Sequence, residues 1–278
     1  MESLIPPLTR EQVQQFDADG YLFVPGLFDE EETRILIEAA KADTLVQDQA
    51  FNVNDRQGKK TKLSLWNHPG DDLWGMVSRS NRIVGAMEQL LGGEVYHYHS
   101  KMTLKEPKVG GAWEWHQDYG YWYNNGCLFP YMASCWIALD RATRENGCMQ
   151  VIRGSHLMGR IEHGIYNGQT CADPERVERA LKRLELVYCE MEPGTGLFFH
   201  GNTLHCSAAN TSDKSRWGLI CCYNAARNNP YKEHHHPGYT PLLKVPDSMV
   251  KTVGRKLTSS TDHFYDPTRD QTVRANRE

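Results

Sequence analysis

From Glu94 onward the chain falls into short runs of β-branched, aromatic and small apolar residues: EVYHYHSKMTLKE, YMASCWIALD, CMQVIRGS, LELVYCEME, GTGLFFHGN and SRWGLICCYNAA. Glycine, proline and asparagine turns separate them. Runs this short are strands, and no helical pattern alternates with them as a parallel βαβ sheet would require. An antiparallel sandwich or barrel is what remains. One helical insertion, DPERVERALKRLE at 173–185, breaks the series, with Asp173 as its cap and Pro174 at the first helical position.

The preceding part reads as helical. In LTREQVQQFDADGY, Thr9 is an N-cap and Gly20 a stop; YLFVPGLF then forms a short strand turning at Pro25-Gly26. DEEETRILIEAAKADTL gives a second helix capped by Asp29, and a third runs from about Ser80 to Leu91 and ends at Gly92-Gly93. Residues 50–72, polar and without a clear period, are expected to be a mobile segment or lid. The prediction is a mainly β protein with flanking helices, a double-stranded β-helix (jelly roll, cupin-like). It is one domain over 1–278, with a helical part at about 9–92, a core at about 94–226 and a tail at 227–278.

Composition narrows the function. A formal charge of −4 without a basic run argues against nucleic acid or anionic membrane as partners. No stretch approaches the roughly 18 apolar residues of a membrane span. The acidic N-terminus is not a secretory signal, and VRANRE at the C-terminus is no targeting address. Eight cysteines include no C-x-x-C pair, so most are expected as reduced, buried residues in a cytoplasmic protein. A homo-oligomer, through the N-terminal helices or the tail after Thr240, is left open.

The chemistry concentrates in AWEWHQDYGYWYNNG, residues 112–126. On a strand, His116 and Asp118 project from one face while Gln117 faces away. They would supply two ligands of a 2-His-1-carboxylate site, the arrangement that suits non-haem Fe(II) with open positions. This is the chain's one H-x-D, and H-x-E does not occur. An isolated H-x-D also arises by chance. The third ligand has two candidates, His200 and His205, of opposite strand parity. Arg216 follows His205 by eleven residues, and its planar fork suits a dicarboxylate co-substrate. His97 and His99 share a strand face without a nearby carboxylate, and EHHHPGY at 233–239 looks like an exposed loop despite its metal-like texture.

H116-Q-D118, then His205, Ser207 and Arg216, resembles the Fe(II)/2-oxoglutarate oxygenases, specifically the phytanoyl-CoA dioxygenase family. DGYLFVPGLF, ENGCMQVIRGSH and PGTGLFFHGNTLHCSAANTS match other family segments in order across most of residues 10–225, and VYHYHSKMTLKEPKVGGAWEWHQDYGYW is closer to the ectoine-hydroxylase branch. The resemblance implies iron on His116, Asp118 and His205, and the far carboxylate of 2-oxoglutarate on Arg216 and Ser207. Thr103, Ser134 and Trp136 would complete the co-substrate pocket; Lys101, His99 and Trp122 would meet the substrate. It implies decarboxylation of 2-oxoglutarate to succinate and CO2, coupled through O2 to oxidation of a substrate C–H. Related halogenases have a small residue in place of the carboxylate, so Asp118 argues for hydroxylation, desaturation or ring chemistry. The aromatics of 113–123 would wall an apolar pocket, although about half suit core packing.

Two other readings stand beside this one. A catalytic zinc hydrolase would use the same three ligands but leaves Arg216 unexplained. A non-catalytic cupin-like binding protein would keep the barrel without needing the triad. The substrate is a small molecule of open identity: an anionic or zwitterionic metabolite suits Lys101, and an aromatic-lined pocket equally suits a terpenoid, alkaloid or polyketide.

Overall fold

The computed structural model describes residues 7–166 and 169–266. The C-terminal VRANRE therefore lies outside the described residues. In chain order the elements are α1 (Arg10–Asp19), β1 (Tyr21–Val24), α2 (Glu30–Ala42), α3 (Thr44–Asp48), β2 (Phe51–Asn54), β3 (Lys60–Trp66), α4 (Leu73–Arg79), α5 (Asn81–Leu91), β4 (Val95–Lys105) and β5 (Trp113–His116). They continue with α6 (Asp118–Trp122), β6 (Met132–Ala138), β7 (Met149–Ile152), β8 (His163–Tyr166), β9 (Gln169–Ala172), α7 (Pro174–Leu181), β10 (Leu186–Cys189), β11 (Gly196–His200), β12 (His205–Ser207), β13 (Arg216–Ala225) and α8 (Met249–Val253).

The strands form a seven-stranded sheet, ordered β1-β11-β6-β13-β4-β3-β2, and a four-stranded sheet, β10-β7-β12-β5, with the β8–β9 hairpin beside them. Every named pairing is antiparallel. This is the expected jelly roll.

The helices end where capping chemistry places them. Thr9 and Gln12 bond reciprocally at the start of α1, as Asp29 and Glu32 do for α2, and Gly92 adopts the left-handed cap of α5. Phe16, Leu36, Val84 and Met87 then pack with Met102, Leu104 and Leu219 of the large sheet, so the helices cover its outer face. A smaller cluster of Tyr21, Trp136, Val151, Leu197 and Phe199 joins the two sheets on the inside.

The segment 50–72 departs from expectation. It holds the β2–β3 hairpin, with Asp55 Oδ1 accepting from Gln57 and Lys59 N–H at its turn. Lys60 and Lys62 point to water while Thr61, Leu63 and Leu65 point inward. Lysines on the exposed face of a sheet edge hid the period-two pattern. The segment from 227 is also more than a tail. Asn67 N–H donates to His263 O and Tyr265 N–H to Leu65 O, and Phe264 bridges to Trp66. It straps across the end of β3.

One irregularity decides which residues face inward. Cys222 and Tyr223, adjacent on β13, face His99 and His97 on β4, so Tyr98 is an extra residue bulged into the strand. His97 and His99, which a regular strand would place together, therefore part. His97 turns to Asn67, Ser100 and Tyr223, whereas His99 packs on Trp122 and His236. Beyond the bulge, Met102 and Leu104 join the helix-side core while His99, Lys101, Thr103 and Lys105 alternate onto the other face. Four polar side chains in succession thus line the inside of the roll.

All eight cysteines are free thiols, seven of them buried, as anticipated. Among the described residues, no helix is long and apolar enough to cross a membrane.

Candidate active site

β5 ends at His116 and α6 begins at Asp118, so the pair straddles a strand end rather than sharing a strand. Gln117 keeps extended backbone angles (φ −112°, ψ 133°), which preserves the alternation long enough to aim Asp118 alongside His116. Its own side chain is fully buried. Nε2 donates to Gly159 O and Asn202 O, both at 2.8 Å, and Oε1 accepts from Ile161 N–H at 2.7 Å. Gln117 N–H donates to His163 Nε2 at 2.9 Å. Thus the residue between the two candidate ligands ties them to two loops.

His205 opens β12 and is the registered partner of His116 across the β12–β5 pair. The two rings lie 4.0 Å apart by centroid. Ligand atoms of His116, Asp118 and His205 all fall within 4.8 Å of one another, in a buried cluster. Nδ1–H of His116 donates to Glu114 O (2.8 Å) and that of His205 to Thr203 O (2.9 Å), which leaves each Nε2 with its lone pair free for a metal. Burial pushes both imidazoles below their usual pKa, with each other's proximity adding to it for His116, so both are neutral donors at pH 7. Two neutral imidazoles and one carboxylate fit Fe(II) and leave coordination positions open.

The carboxylate is held from both sides. Ser134 Oγ donates to Asp118 Oδ2 at 3.1 Å, and Lys101 Nζ lies 3.7 Å from Oδ1. Ser134, expected among the co-substrate contacts, braces Asp118. His200 is remote from the cluster. It ends β11 in the other sheet, with its ring near Phe16 and His156.

A second group of polar residues lies further along the same inner face. Arg216, at the start of β13, is 5% exposed, and its guanidinium sits 5.2 Å from the centre of the Trp136 ring. Its Nε has no hydrogen-bond partner, and among the described residues no carboxylate pairs with it. A guanidinium buried without a directly paired carboxylate is costly, and that cost is relieved when an anion binds. Lys105 is its cross-strand partner and donates to Ser207 Oγ (2.8 Å) and Ala208 O (2.6 Å). Gly218 supplies the room: a Cβ there would come within 2.4 Å of the Trp136 ring. Gly147 does the same at the pocket's edge, with φ +76° and a virtual Cβ 2.2 Å from Ala208 O. Thr103 Oγ1 donates to Gly218 O at 3.3 Å. Arg216, Lys105 and Ser207 together fit the carboxylate of a dicarboxylic acid.

On the opposite side of Lys101, towards the bulge, lie His99 and Trp122, their rings 5.8 Å apart. Of the aromatics in 113–123, Trp113 and Tyr121 approach His116 (6.0 and 5.6 Å), whereas Tyr119 and Trp122 pack with Tyr96, Tyr98 and Met132, and Tyr123 is exposed. His236 was expected in an exposed loop. It is buried and stacked on His99.

The phytanoyl-CoA dioxygenase (PhyH) family model matches residues 16–218. The chain belongs to the phytanoyl-CoA dioxygenase family. Within or near it, the chain is 30% identical over 263 residues to L-proline trans-4-hydroxylase of Streptomyces griseoviridis, covering 88% of this chain and 96% of that one. It is 27% identical to the ectoine dioxygenase of Stutzerimonas stutzeri, over 80% of this chain and 78% of the relative. The solved structure of EctD from S. alaskensis with bound Fe superposes with a TM-score of 0.70 at 25% identity, covering 88% and 86% of the two chains. This family member is an Fe(II)- and 2-oxoglutarate-dependent dioxygenase that oxidises a small molecule.

Sequence reasoning missed Lys105, Gln117 and His236. Lys105 was within reach, since it continues the alternation 99, 101, 103, 105. The other two act through partners more than 40 residues away in the chain.

Proposed function

We propose that His116, Asp118 and His205 hold Fe(II), and that Arg216, Lys105 and Ser207 bind the far carboxylate of 2-oxoglutarate. The observation that carries this is the pairing of a buried His-Asp-His cluster with a buried Arg216 that, among the described residues, has no ion-pair partner, on the same inner face. When bound, the iron supplies activation of O2 coupled to decarboxylation of 2-oxoglutarate to succinate and CO2. The chain's own residues do the rest. The backbone carbonyls of Glu114 and Thr203 fix the imidazole tautomers, while Ser134 and Lys101 orient the carboxylate. Trp136 and Thr103 wall the co-substrate, with the indole plane keeping water from the guanidinium.

Lys101, His99 and Trp122 are assigned to the substrate, a small carboxylate-bearing metabolite. Lys101 offers the charge for that carboxylate, and the relatives named for proline and ectoine chemistry support a compact zwitterion. The cytoplasm is proposed as its compartment, in keeping with eight free thiols.

The test is anaerobic titration of the apo-protein with Fe(II) and 2-oxoglutarate, following the visible charge-transfer band of a chelated oxoacid. Wild type develops the band. Arg216→Ala requires about a hundredfold more 2-oxoglutarate to reach it, the loss of a buried charge-assisted pair. Bound metal without a band in wild type would overturn the assignment in favour of zinc chemistry or simple binding.

A further inference from the structure

The mechanism above leaves His236, stacked against His99, without a role. His99 is 1% exposed, yet neither of its ring nitrogens has a hydrogen-bond partner. A neutral imidazole carries one donor and one acceptor, and both are rarely left idle inside a protein. The His99 ring stacks on His236 at 4.5 Å between centroids and 29° between planes.

His236 is itself held in a fixed state. Asn67 Nδ2 donates to His235 O, so the amide oxygen of Asn67 is the group that faces His236. His236 Nδ1–H therefore donates to Asn67 Oδ1 at 2.8 Å, and its Nε2 presents a lone pair. Asn67 is in turn fixed by its N–H on His263 O. The C-terminal strap thus delivers a second imidazole to the end of the polar stripe, beside the one that β4 supplies.

We propose that His236 is a specificity-determining residue which, with His99, binds the ammonium or imino N–H end of a zwitterionic substrate whose carboxylate pairs with Lys101. The proposal rests on the assignment of Lys101's end of the cavity to substrate. His99 and Lys101 are alternate residues on one face of β4, roughly 6.6 Å apart along the strand. That separation matches a small amino or imino acid lying along the strand, its anion towards the cation and its N–H groups towards the imidazole lone pairs. Trp122 packs edge-on against His99. The substrate's hydrogen-bonding groups are what would complete the idle His99.

The experiment measures probe-dependent succinate formation by iron-loaded enzyme. The probes are L-proline, L-pipecolate and ectoine, set against cyclopentanecarboxylate, which has the ring and carboxylate without the amine. Wild type is expected to respond to at least one amine-bearing probe and about tenfold less to cyclopentanecarboxylate. His236→Leu is expected to raise KM for that probe about tenfold while kcat and the 2-oxoglutarate band stay within about twofold; His236→Gln, which keeps an acceptor, recovers most of the loss. An unchanged KM in His236→Leu would sink the role of His236. No response to any amine-bearing probe, or an equal response to cyclopentanecarboxylate, would overturn the zwitterion. Those two wild-type arms do not depend on how well the variant folds. Absence of the 2-oxoglutarate band in wild type is a different failure, that of the co-substrate assignment.

Discussion

Lys105 and Arg216 face each other as registered partners across β4 and β13, two buried basic side chains with no carboxylate between them. Burial and the neighbouring guanidinium push the Lys105 ammonium well below its usual pKa, and burial holds Arg216 at about 10. The lysine is thereby biased towards its neutral form, bonded to Ser207 and Ala208. An incoming dicarboxylate supplies the missing negative charge and draws a proton back onto it. Binding of 2-oxoglutarate at pH 8 is expected to take up protons, read as different calorimetric enthalpies in phosphate and Tris buffers. In Lys105→Met the buffer dependence disappears and affinity falls about tenfold. Buffer-independent enthalpy in wild type would refute the coupling.

The brace on Asp118 gives a second prediction. Ser134 Oγ leaves one carboxylate oxygen occupied and the orientation fixed. Ser134→Ala removes that hydrogen bond without altering a ligand, and Fe(II) affinity should fall about tenfold, the usual scale for an outer partner of a metal ligand. Competition with a chelator measures it. The 2-oxoglutarate requirement at saturating iron should be unchanged, which separates a brace on the metal ligand from a co-substrate contact.

Much of the fold was readable because its signals are local. Caps at Thr9, Asp29 and Asp173, stops at Gly20 and Gly92, and short apolar runs after Glu94 each depend on a few neighbouring residues. His116 and Asp118 could be paired because alternation carries through one extended residue. What escaped depends on long-range geometry. The β2–β3 hairpin is polar on the face it gives to water, and only pairing with β4 marks it as sheet. The bulge at Tyr98 reverses the parity upstream of it, and nothing in HYHSK announces a bulge. His236 reads as loop until the strap at 263–265 brings it against β4.

Stability should fall in mild acid, and the sign follows from buried neutral histidines. Burial holds His97 at about 3 and His200 at about 4, while the unfolded chain protonates them near 6.5. Between those values the unfolded state binds more protons, so stability is intact above about pH 6.5 and lost as pH falls towards 4. Urea midpoints of apo-protein at pH 7, 6, 5 and 4.5 should fall in order. His200→Gln should flatten the slope, and a flat profile in wild type would contradict the picture.

Gln117 permits the sharpest separation of architecture from chemistry. It touches no candidate ligand atom, yet its amide makes three hydrogen bonds, to Gly159, Asn202 and Ile161, the last two buried, and its N–H a fourth to His163. Gln117→Leu keeps the volume and the backbone bond but strands the Asn202 carbonyl and the Ile161 N–H away from water, and the half-buried Gly159 carbonyl loses its partner as well. At roughly 1–3 kcal/mol for each of the two buried orphaned groups, destabilisation of about 2–6 kcal/mol is expected from urea unfolding. Gln117→Glu retains the acceptor for Ile161 N–H but sets a carboxylate against two carbonyls, and should cost at least as much. If His116 and Asp118 are aligned by this anchor, iron affinity falls along with stability even under conditions where Gln117→Leu is fully folded. Wild-type iron affinity in the folded variant would instead mean that β5 and α6 hold the two ligands without help from the residue between them.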